Sequence, residues 1–236
     1  MRLASKFVYV SMLTLCCLPM LTSSLRATVL TFDVDPPVTN FENINQDYGD
    51  GVTSTTMPGN LQYGENGEGF TPDINVDYGP GGADPALWST GYGDLSNILF
   101  KDTDGFDYLH VTLTAAPGYL VELHSWDMSA YTSAFSSDPT IDSVRVLDSE
   151  GAELLLLNNQ SISRTGHTSF DYSVSPFIDD QLVLEFNAGN LGGVSDDIAL
   201  DNITFAQRAV PEPGAVLLLL VGICGLTCRA RRAAFA

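Results

Sequence analysis

Residues 108–126 read YLHVTLTAAPGYLVELHSW. In the first half Leu109, Val111 and Leu113 alternate with His110, Thr112 and Thr114, and the second half resumes the alternation with Val121 and Leu123 around Glu122. A period of two, rather than 3.6, predicts β-strands with one apolar face. Pro117-Gly118 between them is a turn pair, so a hairpin is expected. Its register carries a conflict. A two-residue loop sets Leu113 opposite Glu122, whereas the apolar face wants Leu113 beside Val121 or Leu123, so the hairpin needs an odd loop or a bulge.

In either neighbouring register His110, Thr112, Glu122, His124 and Trp126 share the polar face. A tryptophan beside histidine and carboxylate on an exposed sheet can stack on a sugar ring and hydrogen-bond its hydroxyls. His110, Glu122, His124 and Trp126 are therefore the expected ligand-binding residues, unless a second sheet or the loops of residues 35–97 cover that face.

Working outward, the same alternation marks Leu30, Phe32 and Val34, and again Leu182, Leu184 and Phe186. Further strands are expected in DINVDY, SNILF, DSVRVLD, AELLLL, TSFDYSV and IALDNITF. No long amphipathic helix competes. The number and spacing of these runs predict an all-β, two-sheet antiparallel sandwich over residues 28–209. NINQDYGDGVTST and GPGGADPALWSTGYGD read as long loops over it. In the last strand Ile198 and Leu200 lie on one face and Ile203 and Phe205 on the other, so the phase breaks at Asp201-Asn202 and a bulge is expected there.

This DDIALDNITF ending resembles the final strand of jelly-roll domains common among exported binding modules, several of which hold a structural Ca²⁺. The resemblance implies a jelly-roll type of sandwich. It makes Asp201, with Asp33 from a first strand beside it, a candidate Ca²⁺ pair, since hard oxygen donors suit that ion. Plain surface solvation of these acids is the alternative.

Charge separates the chain into parts. Residues 28–209 hold 28 of the 29 acids and four of the ten bases, a net charge of −24. Such a surface repels nucleic acid and anionic lipid and attracts cations. All four cysteines, Cys16, Cys17, Cys224 and Cys228, lie outside this middle, which therefore folds without a disulfide.

The ends read as addresses. Arg2 and Lys6 precede FVYVSMLTLCCLPML and then the polar TSSLRAT, the layout of a secretory signal helix over residues 1–27, handled by the secretion machinery. At the other end Gly214 to Cys228 is a charge-free run of 15 residues. As a helix it spans about 22 Å, short of the roughly 30 Å hydrocarbon core. Arg229, Arg231 and Arg232 follow at once, as the positive-inside rule wants at a cytoplasmic end, and arginines can snorkel across the mismatch. A transmembrane helix over 214–228 is expected, with the acidic domain facing outward.

Just before that run stands Val210-Pro211-Glu212-Pro213. A Val-Pro-Glu-Pro box, a short span and a terminal arginine cluster, in that order, resemble the PEP-CTERM sorting signal of bacterial exported proteins, over residues 210–232. Pro211, Glu212 and Pro213 match the box and Arg229, Arg231 and Arg232 the basic end; Ala230 and the final AAFA depart from it. The family implies processing by an exosortase-like enzyme in bacteria that make extracellular polysaccharide. The protein is then anchored in the inner membrane before processing and afterwards delivered to the cell surface or extracellular matrix.

Motifs of enzymes are scarce. KDTDGFDY lacks the spacing of an EF-hand, the three histidines form no zinc pattern, and no nucleophile elbow, phosphate loop or dinucleotide fingerprint occurs. With 28 acids in the middle, any fold brings some carboxylate pair within the roughly 5–10 Å of a glycosidase, so that spacing discriminates little. The leading expectation is a non-catalytic exported surface or matrix protein. Its rivals are a carbohydrate-binding module acting on exopolysaccharide and a secreted glycan-degrading enzyme.

Overall fold

The computed structural model describes residues 27–34, 40–53, 61–63, 69–79, 85–101 and 108–210. The expected signal segment, apart from Ala27, lies outside these residues, and so do the membrane run 214–228, the acids Asp102, Asp104 and Asp107, and Pro211, Glu212, Pro213, Arg229, Arg231 and Arg232. Among the described residues no helix is long and apolar enough to cross a membrane.

Fourteen strands are described: β1 Thr28–Val34, β2 Glu42–Asn43, β3 Leu61–Tyr63, β4 Ile74–Gly79, β5 Ala86–Trp88, β6 Ile98–Phe100, β7 Tyr108–Ala115, β8 Tyr119–Ala130, β9 Thr140–Leu147, β10 Glu153–Ser161, β11 Thr168–Asp171, β12 Phe177–Asp179, β13 Gln181–Asn187 and β14 Ile198–Ala209. They form the all-β, two-sheet antiparallel sandwich that the alternation predicts. The smaller sheet runs β10-β9-β13-β7-β4; the larger runs β11-β8-β14-β6-β5-β2, with β12 also on β8 and with β1 on β14 followed by β3. Between them Leu109, Val111, Leu113, Leu182, Leu184 and Phe186 from the smaller sheet meet Val121, Leu123, Trp126, Met128, Ile198, Leu200, Ile203 and Phe205 from the larger. Every one of these is at most 2 % exposed.

The expected β7–β8 hairpin does not form. Ala116 O accepts from Tyr119 N–H at 3.0 Å across Pro117-Gly118, and Gly118 sits at φ 93°, in the left-handed region that glycine enters without a Cβ clash. The turn is tight, yet the strands go to opposite sheets. Strand β7 is flanked by β13 and β4, while β8 is flanked by β14 and by β11 and β12. The conflict between Leu113 and Glu122 is thus removed by arching the chain over the core instead of pairing it.

The two sheets differ in regularity. β13 pairs with β7 over seven consecutive partners, Gln181↔Thr114 to Asn187↔Tyr108, without a shift. On β14 the ladder to β8 goes from Asp201↔Asp127 to Thr204↔Ser125 and then to Phe205↔Leu123. Two residues, Asn202 and Ile203, oppose Trp126, and His124 is then the extra residue on the other strand. Two bulges of opposite sense therefore lie side by side. Asn202 stands at φ 51°, as expected where the phase breaks. The neighbours change partner on the same line: β6 pairs with β14 at Ala199 and Leu200 and β1 at Ile203 to Phe205, while β11 ends on Ser125 and β12 begins on Leu123. A seam thus crosses the larger sheet.

Candidate functional site

The four expected ligand-binding residues do not share a face. His110 belongs to the smaller sheet, opposite Glu185, with its ring stacked on Tyr108 at 6.0 Å. A Cβ on Gly79 would collide with that ring, so the glycine makes its place. Burial holds the His110 pKa below its ordinary value, against the pull of Glu185. Trp126 is 0 % exposed and lies between Phe170 at 5.2 Å and Tyr172 at 5.6 Å, both nearly parallel to it.

The reason is the bulge at His124. From Val121 to Leu123 the odd residues point inward, and the extra residue reverses the phase so that Trp126 and Met128 do. Only Glu122 and His124 come together, with His124 Nε2 3.7 Å from Glu122 Oε2. Glu122 is covered, and its other oxygen pairs with Arg208 Nε from β14. These groups form a cluster on the outer face of the larger sheet, apart from His110 and Trp126.

Asp201 is 4 % exposed and faces Asp127 across the ladder. Its Oδ1 accepts from Asn202 N–H at 2.7 Å, while Asp127 accepts from Ser169 Oγ at 2.7 Å and Asn202 Nδ2 at 2.9 Å. These bonds hold the bulge. The backbone of Asp33 lies in β1. Among the described residues no group of three or more His, Cys, Asp or Glu side chains is placed to hold a metal ion. Val210, the first residue of the sorting box, donates its N–H to Gly118 O at 2.8 Å.

A different constellation forms where β5 and β6 meet the start of β14. Leu87 and Leu99, and Ala86 and Phe100, pair across these short strands, which carry a second, smaller core of Ala86, Tyr92, Leu95, Ile98, Phe100 and Ala199. At its mouth is a half-open cleft of about 120 Å³, lined by Phe41, Trp88, Tyr92, Phe100, Tyr131, Asp196 and Asp197. Trp88 is the hub. Its ring meets Phe41 at 4.8 Å, Phe100 at 5.7 Å and Tyr131 at 5.8 Å, each edge to face, a geometry that aromatic quadrupoles favour.

Backbone bonds set this arrangement. Phe41 N–H donates to Leu87 O at 3.0 Å, Tyr131 N–H to Asp197 O at 2.9 Å and Thr132 N–H to Gly91 O at 2.8 Å. Gly91 stands at φ 99°, and a Cβ there would lie 2.5 Å from Tyr131 Cε2, so only glycine lets that ring close over the turn. Phe41 also has a left-handed backbone, at φ 67°, and is 57 % exposed. A bulky residue in that region is strained, and strain of this kind clusters at ligand sites.

Burial, and then the neighbouring charge of Asp196, push the Asp197 carboxyl up to about 6. Burial and the same two carboxylates hold the Tyr92 hydroxyl far above its ordinary range. The described ion pairs join His124 and Arg208 to Glu122, Arg145 to Glu153 and Glu185, and His167 to Asp94, and none of them involves Asp196 or Asp197. The cleft thus offers aromatic surface and two carboxylates outside the described ion pairs, a combination able to hold hydroxyl or ammonium donors against an apolar wall.

Sequence reasoning missed it because residues 79–94 read as loop. Two signals were present: ALW and ILF are short wholly apolar runs, which suit strands buried on both faces. Asp196-Asp197 also stood at the start of the last strand, hidden among 28 acids.

No protein-family model matches the chain, and no curated protein matches it. Solved structures with partial likeness include the family 32 carbohydrate-binding module from C. perfringens NanJ in complex with galactose, at 9 % identity over 57 % of this chain and 93 % of that one, TM-score 0.30. A CBM4 structure shows 13 % identity over 58 % of this chain and 89 % of that one, TM-score 0.32. The Podospora anserina GH26-CBM35 β-(1,4)-mannanase shows 17 % identity over 60 % of this chain and 29 % of that one, TM-score 0.30. Likeness this loose assigns neither ligand nor site.

Proposed function

We propose that this chain is a non-catalytic exported β-sandwich, sorted to the cell surface or extracellular matrix through residues 210–232. One observation carries the reading: the box Val210-Pro211-Glu212-Pro213, the apolar run 214–228 and the arginines 229, 231 and 232 follow one another directly after the last strand, which runs to Ala209. Prolines cannot donate to a ladder and keep the chain extended. A stretch of this kind resists regular pairing, which suits recognition of the box by an exosortase-like enzyme. An acidic domain free of cysteine suits transit and an outward position, since its fold needs no disulfide.

Fractionation and mass spectrometry of intact and tail-deleted protein test this. The intact chain is expected in the membrane fraction and then, shortened within the tail, at the surface. The same distribution for both chains, with no loss of mass from the tail, sinks the proposal.

A second reading, a carbohydrate-binding module, rests on the cleft of Trp88 and Tyr131 rather than on Trp126. A partly buried indole beside carboxylates can serve as a stacking platform with hydroxyl acceptors. Binding on a glycan array should fall in Trp88→Ala and persist in Glu122→Gln. Glycan binding indifferent to Trp88 removes this reading.

A further inference from the structure

The cleft beside β5 and β6 carries two carboxylates, Asp196 and Asp197, that none of the described ion pairs engages. Three of the four bases of residues 28–209 have described partners away from it. Arg145 Nη2 lies 2.7 Å from Glu185, and Arg208 pairs with Glu122. Arg164 donates to the carbonyls of Thr132 at 3.0 Å and Ser136 at 3.3 Å. Lys101 Nζ is 3.4 Å from Ser195 Oγ and has a further partner besides. Asp196 and Asp197 themselves take part in none of the described ion pairs.

We propose that this cleft binds a small ligand bearing an ammonium group, a protonated amine or a quaternary nitrogen, held by Asp196 and Asp197 against the rings of Trp88 and Tyr131. The inference deepens the second reading above and rests on the same cleft. Three features point to it. Aromatic faces attract a cation through their quadrupole, most strongly for indole, and more so when water is excluded. The surrounding charge of −24 draws cations in and turns away uronate-bearing or sulfated glycans. The volume of about 120 Å³ is well below the roughly 300 Å³ or more of a site for a drug-sized ligand. It suits a head group or one amine-bearing edge of a sugar.

Burial and Asp196 raise the Asp197 carboxyl to about 6, so its ionised form is held at a cost near neutral pH that a bound ammonium offsets. Binding should then weaken as pH falls. The other titratable groups around it are Asp196, Tyr92 and Tyr131, with Lys101 beside Ser195 and the His167–Asp94 pair on the adjoining turn. Choline separates the carboxylate from the ligand's own proton, because its charge does not titrate.

The test is calorimetric titration of the full chain with choline, glucosamine, N-acetylglucosamine and glucose at pH 7 and pH 5. Choline affinity should fall about tenfold from pH 7 to pH 5, the loss of ionised carboxylate expected for a group near pKa 6. Asp197→Asn should bring choline binding at pH 7 down to the wild-type level at pH 5, flatten the pH profile and raise the Tm of the ligand-free protein. Asp196→Asn should also weaken it, by a smaller factor. Glucosamine bound at least tenfold tighter than N-acetylglucosamine and glucose, and tighter than choline, supports both the ammonium site and the carbohydrate reading. Choline and glucosamine bound alike, with glucose unbound, keeps the ammonium site and ends the carbohydrate reading. Glucose and N-acetylglucosamine bound as tightly as glucosamine overturns the ammonium site alone. Absence of binding by all four, or choline binding unmoved by Asp197→Asn, overturns it as well.

Discussion

The ladders β7–β13 and β8–β14 lie at the centres of the two sheets and are built from similar residues, yet they behave differently. On β7 and β13 every second side chain is apolar and buried, and seven partners pair in unbroken register. On β8 and β14 the apolar residues keep their order but change phase at His124 and at Asn202. Each bulge turns its strand by one residue, and because they are adjacent and opposite the ladder recovers beyond them. The seam lets one pair of long strands carry two short partners on each side. It also puts Trp126 in the core where unbroken alternation would put it in water. Regular pairing builds a wall, and paired bulges decide which residues that wall hides.

Experiments can break this contrast or sharpen it. The largest effect is expected from Trp126→Ala, which empties the space between Phe170 and Tyr172. About 3–5 kcal/mol of stability should be lost in urea titration, whereas an exposed sugar-stacking tryptophan would cost almost nothing.

The ion pair beside the seam comes next, and it should be asymmetric. Arg208→Ala leaves Glu122, whose side chain is 3 % exposed, buried with His124 at 3.7 Å as its remaining described partner, a loss of about 3 kcal/mol. Glu122→Ala leaves an arginine half exposed and free to turn to solvent, at a cost of about 1 kcal/mol. Equal losses would mean that Glu122 is solvated through another route.

Asn202 tests the bulge itself. Asn202→Ala keeps a Cβ at φ 51° and removes the bond to Asp127, which should cost about 1–2 kcal/mol, while Asn202→Gly relieves the backbone and should cost less. If alanine and glycine are equivalent, the left-handed residue is not what holds the seam.

The smallest effect belongs to the regular sheet. Burial lowers the His110 pKa in the fold, so the unfolded chain binds the proton more readily. His110 therefore contributes stability that is present above its unfolded pKa of about 6.5 and is lost as pH falls through that value towards the lower folded one. His110→Gln should flatten this part of the stability profile. Asp197 acts in the opposite sense: its folded pKa is raised, so it favours the folded state increasingly as pH falls from about 6 towards its ordinary value. The double variant His110→Gln, Asp197→Asn should remove both slopes.

Much of the sandwich was legible in the sequence. Alternation located nearly all the long strands and their inward residues, and the phase break at Asp201-Asn202 marked a true bulge. The same break at His124-Ser125, between Leu123 and Trp126, went unread, because a polar triplet ending in tryptophan also fits an exposed face. The candidate site was least legible. Phe41, Trp88, Tyr131 and Asp197 come from four distant parts of the chain, and no local period announces that β5, β6 and the start of β14 bring them together.

What the sequence by itself determined is what local chemistry decides: β-structure throughout the middle, an acidic domain folding without disulfides, and the order of box, apolar run and arginines behind it. Which strand lies beside which was decided only in the tertiary structure. An alternating strand has two equivalent edges, and Pro117-Gly118 serves a hairpin or an arch equally well. The choice fell to competition among all the edges for partners, with β13 and β4 taking β7 and with β14, β11 and β12 taking β8. That competition buried Trp126 and opened the cleft at Trp88, because backbone donors and acceptors must all be paired while side-chain period constrains only one strand at a time.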